Sequence, residues 1–160
     1  MYHLHRAVRI MLVALSVLAL VAPRAEGQTL IVRPIQNLSF GFLLAGVPTT
    51  IDALQLARSG QIEVSAAIGT SFEIRFTLPT TMSGAGTTLP LAFGTSSAGA
   101  APSSTPASVI RFNPAQAARF QLVTTTRATF FLGGQAVPRA GQPVGAYAAP
   151  IIITITNLGI

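Results

Sequence analysis

The sequence contains no cysteine, no lysine and no tryptophan, and only 9% of its 160 residues are charged. Without cysteine the chain has neither disulfides nor thiolate chemistry, and the common Cys/His zinc sites are excluded. The two histidines, His3 and His5, lie in an N-terminal segment with the pattern of a cleaved leader. A serine–histidine–aspartate triad is therefore excluded for the rest of the chain.

Acidic groups are also scarce. Beyond residue 27 the carboxylates are Asp52, Glu63 and Glu73. A catalytic pair of the glycosidase type would have to join Asp52 to one of the two glutamates, and the alternation around Glu63 and Glu73 instead favours a solvated sheet face. The D-x-D spacing of calcium loops is missing. We predict no catalytic residue, no metal site, no cofactor and no enzymatic activity.

The positive charge is spread thinly along the chain. Beyond residue 27, seven arginines stand against three carboxylates, which gives a net charge of about +4. The arginines occur singly and form no basic cluster. Because nucleic-acid binding needs a concentrated basic footprint, no nucleic-acid partner is expected.

Residues 1–27 have the pattern of a secretory signal. Arg6 and Arg9 give a positive start, an apolar run follows at positions 10–22, and Ala25-Glu26-Gly27 offers small residues at a cleavage site. The run is too short for a transmembrane helix, which needs about 20 apolar residues. We predict cleavage near Gly27–Gln28. The mature chain would then have 133 residues (160 minus 27), form one domain over 28–160 and carry no membrane span.

The remaining sequence favours strands. Half of all residues are hydrophobic, and short apolar runs alternate with glycine, proline, serine and threonine. This composition is typical of a sandwich or barrel, and no long segment has helical periodicity. The predicted strands cover residues 30–44 with a break at Pro34, 49–56, 62–68, 72–78, 89–93, 109–112, 119–124, 129–132 and 151–158.

The strands at 62–68 and 72–78 alternate most regularly. Even positions are apolar, whereas Glu63, Glu73 and Arg75 occupy odd positions. Because the short linker 69–71 joins them, we predict a β-hairpin with one buried face and one solvated face. The solvated face would then bring Glu63 or Glu73 near Arg75 as a cross-strand pair.

Residues 79–106 and 133–146 are candidate binding loops. The first is rich in serine, glycine, alanine and proline around the short strand at 89–93, and the second is rich in glycine and proline. Such loops usually connect strands and sometimes bind ligands.

Two aromatic side chains are candidate interface residues. Phe131 would point away from the face that Phe130 and Leu132 share, and Tyr147 follows a glycine-rich turn. We expect the Tyr147 hydroxyl to bond to backbone at a sheet corner. An exposed, adhesive tyrosine is the alternative.

The two ends of the chain resemble known secreted proteins. The segment NLSFG at 37–41, followed by Ala-Gly at 45–46, resembles the opening of a family of small secreted bacterial proteins of undefined function. Leu-Gly-Gly at 132–134, PRAGQP at 138–143, Gly-Ala-Tyr at 145–147 and the Ile/Thr-rich end resemble that family and the related spore coat protein U domains. Those domains are similar to subunits of archaic chaperone–usher pili.

The resemblance implies an all-β, immunoglobulin-like antiparallel β-sandwich of about seven to nine strands. It also implies a secreted, periplasmic or cell-surface structural protein of a bacterium, with copies of itself, other surface subunits or a periplasmic chaperone as partners. A ligand-binding module using the two loops, for a glycan or a protein, is the alternative. The predicted core consists of Phe40, Val64, Phe72, Ile74, Phe76, Phe112, Phe120, Phe130, Ile153 and Ile155.

The first residues of the mature chain form an apolar, β-prone arm. Residues 28–35 include Leu30, Ile31, Val32 and Ile35. An arm of this kind can either form the first strand of its own sandwich or pair with the open sheet edge of a neighbour. The sequence leaves both alternatives open.

Overall fold

Antiparallel strands dominate the computed structural model, which describes residues 29–102 and 108–159. The predicted signal at 1–27 and its cleavage site lie outside the described residues. Within the described ranges there are twelve strands and no α-helix. The strands are β1 (Ile31–Gln36), β2 (Thr49–Ile51), β3 (Gly60–Ser65), β4 (Ser71–Thr77), β5 (Thr81–Gly84), β6 (Thr87–Ala92), β7 (Ala98–Ala101), β8 (Ile110–Phe112), β9 (Ala118–Gln121), β10 (Arg127–Leu132), β11 (Gly134–Ala136) and β12 (Ile152–Gly159).

These strands form three sheets. The five-stranded sheet has the order β1-β3-β10-β7-β8, the three-stranded sheet β12-β4-β9, and the four-stranded sheet β2-β11-β6-β5. All pairings are antiparallel. The five- and three-stranded sheets enclose the largest core cluster between them. The predicted all-β sandwich is therefore confirmed.

The predicted hairpin of β3 and β4 is wrong. β3 pairs with β1 and β10, whereas β4 pairs with β12 and β9, so the two strands belong to opposing sheets. The alternation itself is correct because Val64 of β3 and Ile74 of β4 both point into the core. Alternation reports which face of a strand is buried and does not identify the neighbouring strand.

The core is rich in phenylalanine. Phe72, Phe112, Phe120 and Phe130 pack with ring centroids 5.0–6.4 Å apart, mostly edge to face. Such contacts add to the stabilisation that burial provides. Most of the predicted core is buried, whereas four of its members are only partly buried against the cluster: Phe112, Phe120, Ile153 and Ile155.

Residues 79–102, the described part of the predicted loop 79–106, do not form a long loop. They contain β5 and β6, which pair as a hairpin, and also β7 in the five-stranded sheet. Small side chains let β7 lie flat against its neighbours, and all four of its residues are buried. The larger number of strands than predicted arises partly from this segment. It also arises at Gly133, where one extended run is divided between β10 and β11.

Candidate functional site: an apolar cleft between two edge strands

A cleft of about 520 Å³ separates β1 from the segment that leads into β12. β1 is an edge strand of the five-stranded sheet, and β12 is an edge strand of the three-stranded sheet. Pro34 and Gln36 line the cleft from the β1 side, while Ile151 and Ile153 line it from the β12 side. The two edges of the sandwich therefore border one gap.

The floor of this cleft belongs to the hydrophobic core. Ile62, Phe76, Phe130 and Leu132 line the cleft and are members of the main core cluster. No charged side chain is among the lining residues of this part of the structure. The cleft therefore suits an apolar occupant with backbone groups that can bond to strand edges.

The register of β12 explains why the core is open here. Ile153 lies opposite Phe76 and Ile155 opposite Ile74, so the two isoleucines share the inward face of the three-stranded sheet. They remain only partly buried. In the described ranges no strand lies beyond β12 at this edge.

The predicted assembly arm forms β1 of its own chain. Val32 lies opposite Val64 of β3, on the inward face, and Leu30 packs partly against the core. Even so, Ile31, Val32 and Ile35 are 45–58% exposed. The single chain thus places the arm in its own five-stranded sheet, and exchange with a neighbour stays a prediction.

Tyr147 lies where this cleft meets a second one of about 730 Å³. Its hydroxyl donates a hydrogen bond to the carbonyl oxygen of Pro143 at 2.8 Å and accepts one from Gln142 Nε2 at 2.9 Å. The expected bond from Tyr147 to backbone is confirmed. The ring is partly buried against the core cluster of the four-stranded sheet.

The segment around Tyr147 is fixed to β5. Ser83 and Ala148 exchange two backbone hydrogen bonds of 2.9 and 3.0 Å. Gly84 allows this close approach, because a Cβ there would lie 1.9 Å from the carbonyl oxygen of Ala146. The shared boundary of the two clefts is therefore held by both backbone and side-chain contacts.

Phe131 does not provide an exposed interface. It points away from Phe130, as predicted, but it is only 1% exposed. A small cluster with Ala53 and Ala101 buries it, and Val109 packs against that cluster. The outer face of the five-stranded sheet is covered here by the chain itself, which corrects the prediction of an interface residue.

The three described carboxylates each contact arginine. Asp52 accepts two hydrogen bonds from the Arg111 guanidinium, at 2.7 and 2.9 Å. The pKa of Asp52 lies below its ordinary value of 3.8, chiefly because of the Arg111 hydrogen bonds, while burial opposes this and the Leu54 N–H supports it. The same contact raises the pKa of Arg111.

The two glutamates also form ion pairs, and Arg75 lies near Glu73 as one alternative predicted, although both residues are on β4 and the pair is not cross-strand. Glu73 contacts Arg119 at 3.2 Å and Arg75 at 3.8 Å, whereas Glu63 contacts Arg127 at 3.8 Å. Glu63 and Glu73 are on different sheets because β3 and β4 are not paired. Over residues 29–102 and 108–159, no group of three or more His, Cys, Asp or Glu side chains could hold a metal ion.

A comparison with models of known protein families finds no match, and a search of curated proteins finds no match either. Membership of the family that the chain ends resemble therefore stays a proposal. In the part of the chain that the structure describes, no helix is both long and apolar enough to cross a membrane.

Sequence reasoning missed both the cleft and its walls. Nothing in the sequence indicated that Gln36 and Ile151 line a cleft, because both polar and apolar residues are common at strand ends. The exposed side chains of Phe42 and Val144, which line the second cleft, were also missed. The glycines and prolines near Phe42 and Val144 indicated turns. They did not show that the segments 37–48 and 137–151 meet.

Proposed function

We propose that this chain is a secreted, non-catalytic structural or surface protein, coat- or pilus-subunit-like, with an immunoglobulin-like sandwich. The observation that carries the proposal is the apolar cleft between the edge strands β1 and β12. We propose that it accepts an extended strand of another surface subunit, or of a chaperone that protects the subunit before assembly.

Strand addition suits this cleft for two reasons. Edge strands offer backbone donors and acceptors that template pairing, and proteins normally cover such edges. An added strand would gain affinity from main-chain hydrogen bonds and specificity from alternate side chains that enter the cleft. The floor at Phe76 and Phe130 would receive those side chains.

The incoming strand has to come from outside the fold described above. Residues 31–36 already pair with β3, so a copy could supply its arm only by opening its own sheet. A donor strand that is unpaired in its own protein would not bear this cost. Strand donation between different subunits therefore fits the cleft better than donation between identical copies.

A labelled peptide of residues 28–36 is a suitable probe, because it is β-prone and apolar and carries Arg33 for solubility. We expect it to bind the mature protein, and Ile153→Ser to weaken binding by about tenfold, since full burial of an isoleucine contributes about 1.5–3 kcal/mol and the already partly buried Ile153 would gain only part of that. Ile152→Ser is the matched control, because Ile152 points to the other face and is exposed.

Fluorescence anisotropy measures this binding. Equal affinity for the two variants would place the peptide at β3, by displacement of β1, and would overturn the assignment of the cleft. If no extended apolar peptide binds, the assignment of the cleft is also overturned.

Export is a separate part of the proposal. The signal pattern at 1–27 supports it, and intact-mass measurement of exported protein tests it. We expect a mass that begins at or within a few residues of Gln28. Exported material that retains residues 1–27 would contradict the predicted cleavage.

Ligand binding is the second candidate function, and one observation favours it. The 133–146 segment lines the second cleft through Pro138, Gln142 and Pro143. The described part of the other predicted binding loop 79–106, residues 79–102, contains strands and lines this cleft through Met82 and Leu89. Binding of glycans to the mature protein on an array would favour this function over a structural one.

A further inference from the structure

Two turns meet at one end of the four-stranded sheet and expose large apolar side chains. The turns are residues 37–48, between β1 and β2, and 137–151, between β11 and β12. Gly46 N–H donates to the carbonyl oxygen of Arg139 at 3.0 Å, which joins them. We call the joined turns the apolar tip.

The side chains at this tip are unusually exposed. Phe42 and Val144 are fully exposed, and Leu44 is 73% exposed. Phe42 and Val144 line the same cleft and so lie on one surface. Single exposed apolar residues are ordinary, whereas a group of them indicates an interaction site.

A positive charge lies beside the same surface, and no carboxylate is among the described residues that line its cleft. The Arg58 guanidinium lies against Gly41, with Nη2 3.0 Å from the position of a Cβ there, and the backbone of Arg139 lies at the contact between the turns. In the described ranges, the carboxylates form their ion pairs with other arginines: Asp52 with Arg111, Glu63 with Arg127, and Glu73 with Arg75 and Arg119.

We propose that the apolar tip binds the surface of a membrane that contains anionic lipids. Phe42, Leu44 and Val144 would enter the boundary between headgroups and acyl chains, while Arg58 and Arg139 would contact the anionic headgroups. Apolar insertion combined with basic residues is the pattern of peripheral membrane attachment. This inference does not depend on strand addition in the other cleft.

A second copy is a less suitable occupant. If the surface paired with itself, an interface between copies would bring the Arg58 guanidinium of one chain near that of the other. Like charges at such an interface oppose association. An anionic lipid surface complements both the charge and the apolar side chains.

Co-sedimentation of the mature protein with vesicles tests the proposal. We expect binding to vesicles of phosphatidylcholine with phosphatidylglycerol and little binding to phosphatidylcholine alone. The double variant Arg58→Gln/Arg139→Gln should lower partitioning by about tenfold or more, since each basic residue near an anionic surface contributes roughly fivefold. Phe42→Ser/Val144→Ser should lower it by a similar factor.

Val123→Ser is the matched control, because Val123 is 67% exposed but lies in the β9–β10 connection. That connection is bonded to the 66–70 turn, at the end of β3 remote from the apolar tip. We expect this variant to bind like the unmodified protein. An equal loss in the control would overturn the assignment of the tip.

A fluorescence experiment gives an independent measurement. Because the chain has no tryptophan, Phe42→Trp introduces a single reporter at the tip. Its emission should shift to shorter wavelength with the anionic vesicles only. No shift with either vesicle would overturn the proposal. So would self-association that occurs without lipid and is lost in Phe42→Ser/Val144→Ser, because the tip would then be an interface between copies.

Discussion

Gly84 shows how a single residue controls the boundary of the clefts. A Cβ at this position would lie 1.9 Å from the carbonyl oxygen of Ala146 and 3.0 Å from Cα of Tyr147. Backbone atoms cannot move away as a flexible side chain can. Glycine at this position is therefore required by the approach of the 137–151 turn to β5.

Gly84→Ala should destabilise the protein by about 1–3 kcal/mol, which is typical of overpacking. Gly141→Ala is the matched control, since a Cβ there meets nothing within 4 Å. It should change the free energy of unfolding by no more than about 0.5 kcal/mol. Urea melts measure both values. Equal effects would show that the 137–151 turn is not held against β5 in solution.

The ion pair of Asp52 and Arg111 leads to a prediction about pH. A pKa that is lower in the folded state means that folding is favoured by the ionised carboxylate. The contribution is therefore present above the ordinary pKa of 3.8 and is lost as pH falls through the lower pKa of the folded protein. Both side chains are partly exposed, so the contribution should be at most about 1 kcal/mol.

Asp52→Asn should lower the free energy of unfolding at neutral pH by a few tenths to about 1 kcal/mol. The difference from the unmodified protein should shrink below pH 3.8. Arg111→Gln should show the same dependence on pH, because it removes the same pair. Urea melts over this range of pH test the prediction. A difference that does not vary with pH would exclude the ion pair as its cause.

For individual strands, the sequence predicts which face is buried better than it predicts which strand lies alongside. Phe72, Ile74 and Phe76 were assigned to the buried face of β4, and all three are buried. The partner of β4 was assigned wrongly, because β3 and β4 cross between sheets. Alternation of apolar and polar residues is the same in a hairpin and in two strands that belong to opposing sheets. A short turn can connect the strands in either arrangement.

The two faces of β4 should respond differently to substitution. Phe76→Ala should cost about 3–5 kcal/mol because it leaves a cavity in the core. Arg75→Ser should cost about 0.5 kcal/mol or less, since its side chain is 63% exposed and its contact with Glu73 is 3.8 Å long. Denaturant melts measure both losses. Equal losses would mean that β4 has a different register.

The candidate site was less predictable than the faces. Its lining comes from many distant parts of the chain, among them β1, β3, β5, β10 and the segment that leads into β12. The arm at 28–35 was predicted to be apolar and β-prone, but the gap beside it depends on where β12 lies. That position is set by pairing with β4, and long-range pairing leaves little signal in one sequence.

For the whole molecule, the question is whether residues 28–35 pair with β3 of their own chain or with a neighbouring copy. β1 pairs with β3 along five residue pairs, from Ile31 with Ser65 to Gln36 with Gln61. Removal of residues 28–35 would expose the edge of β3 and the inward side chain of Val64. We therefore expect the truncated chain to unfold at lower denaturant concentration or to aggregate, and the intact protein to stay monomeric at all concentrations.

The opposite result has a distinct signature. If the arm instead completes a neighbour, the intact protein will assemble as its concentration rises. The truncated chain will then lose assembly and regain it when a peptide of residues 28–35 is supplied in trans. Light scattering and denaturant melts distinguish the two cases.

The peptide could also enter the cleft, so the truncated chain should be tested with Ile153→Ser as well. This substitution weakens peptide binding in the cleft but leaves the edge of β3 intact. Restored stability in that variant would place the peptide at β3, which is the position that β1 occupies in the single chain.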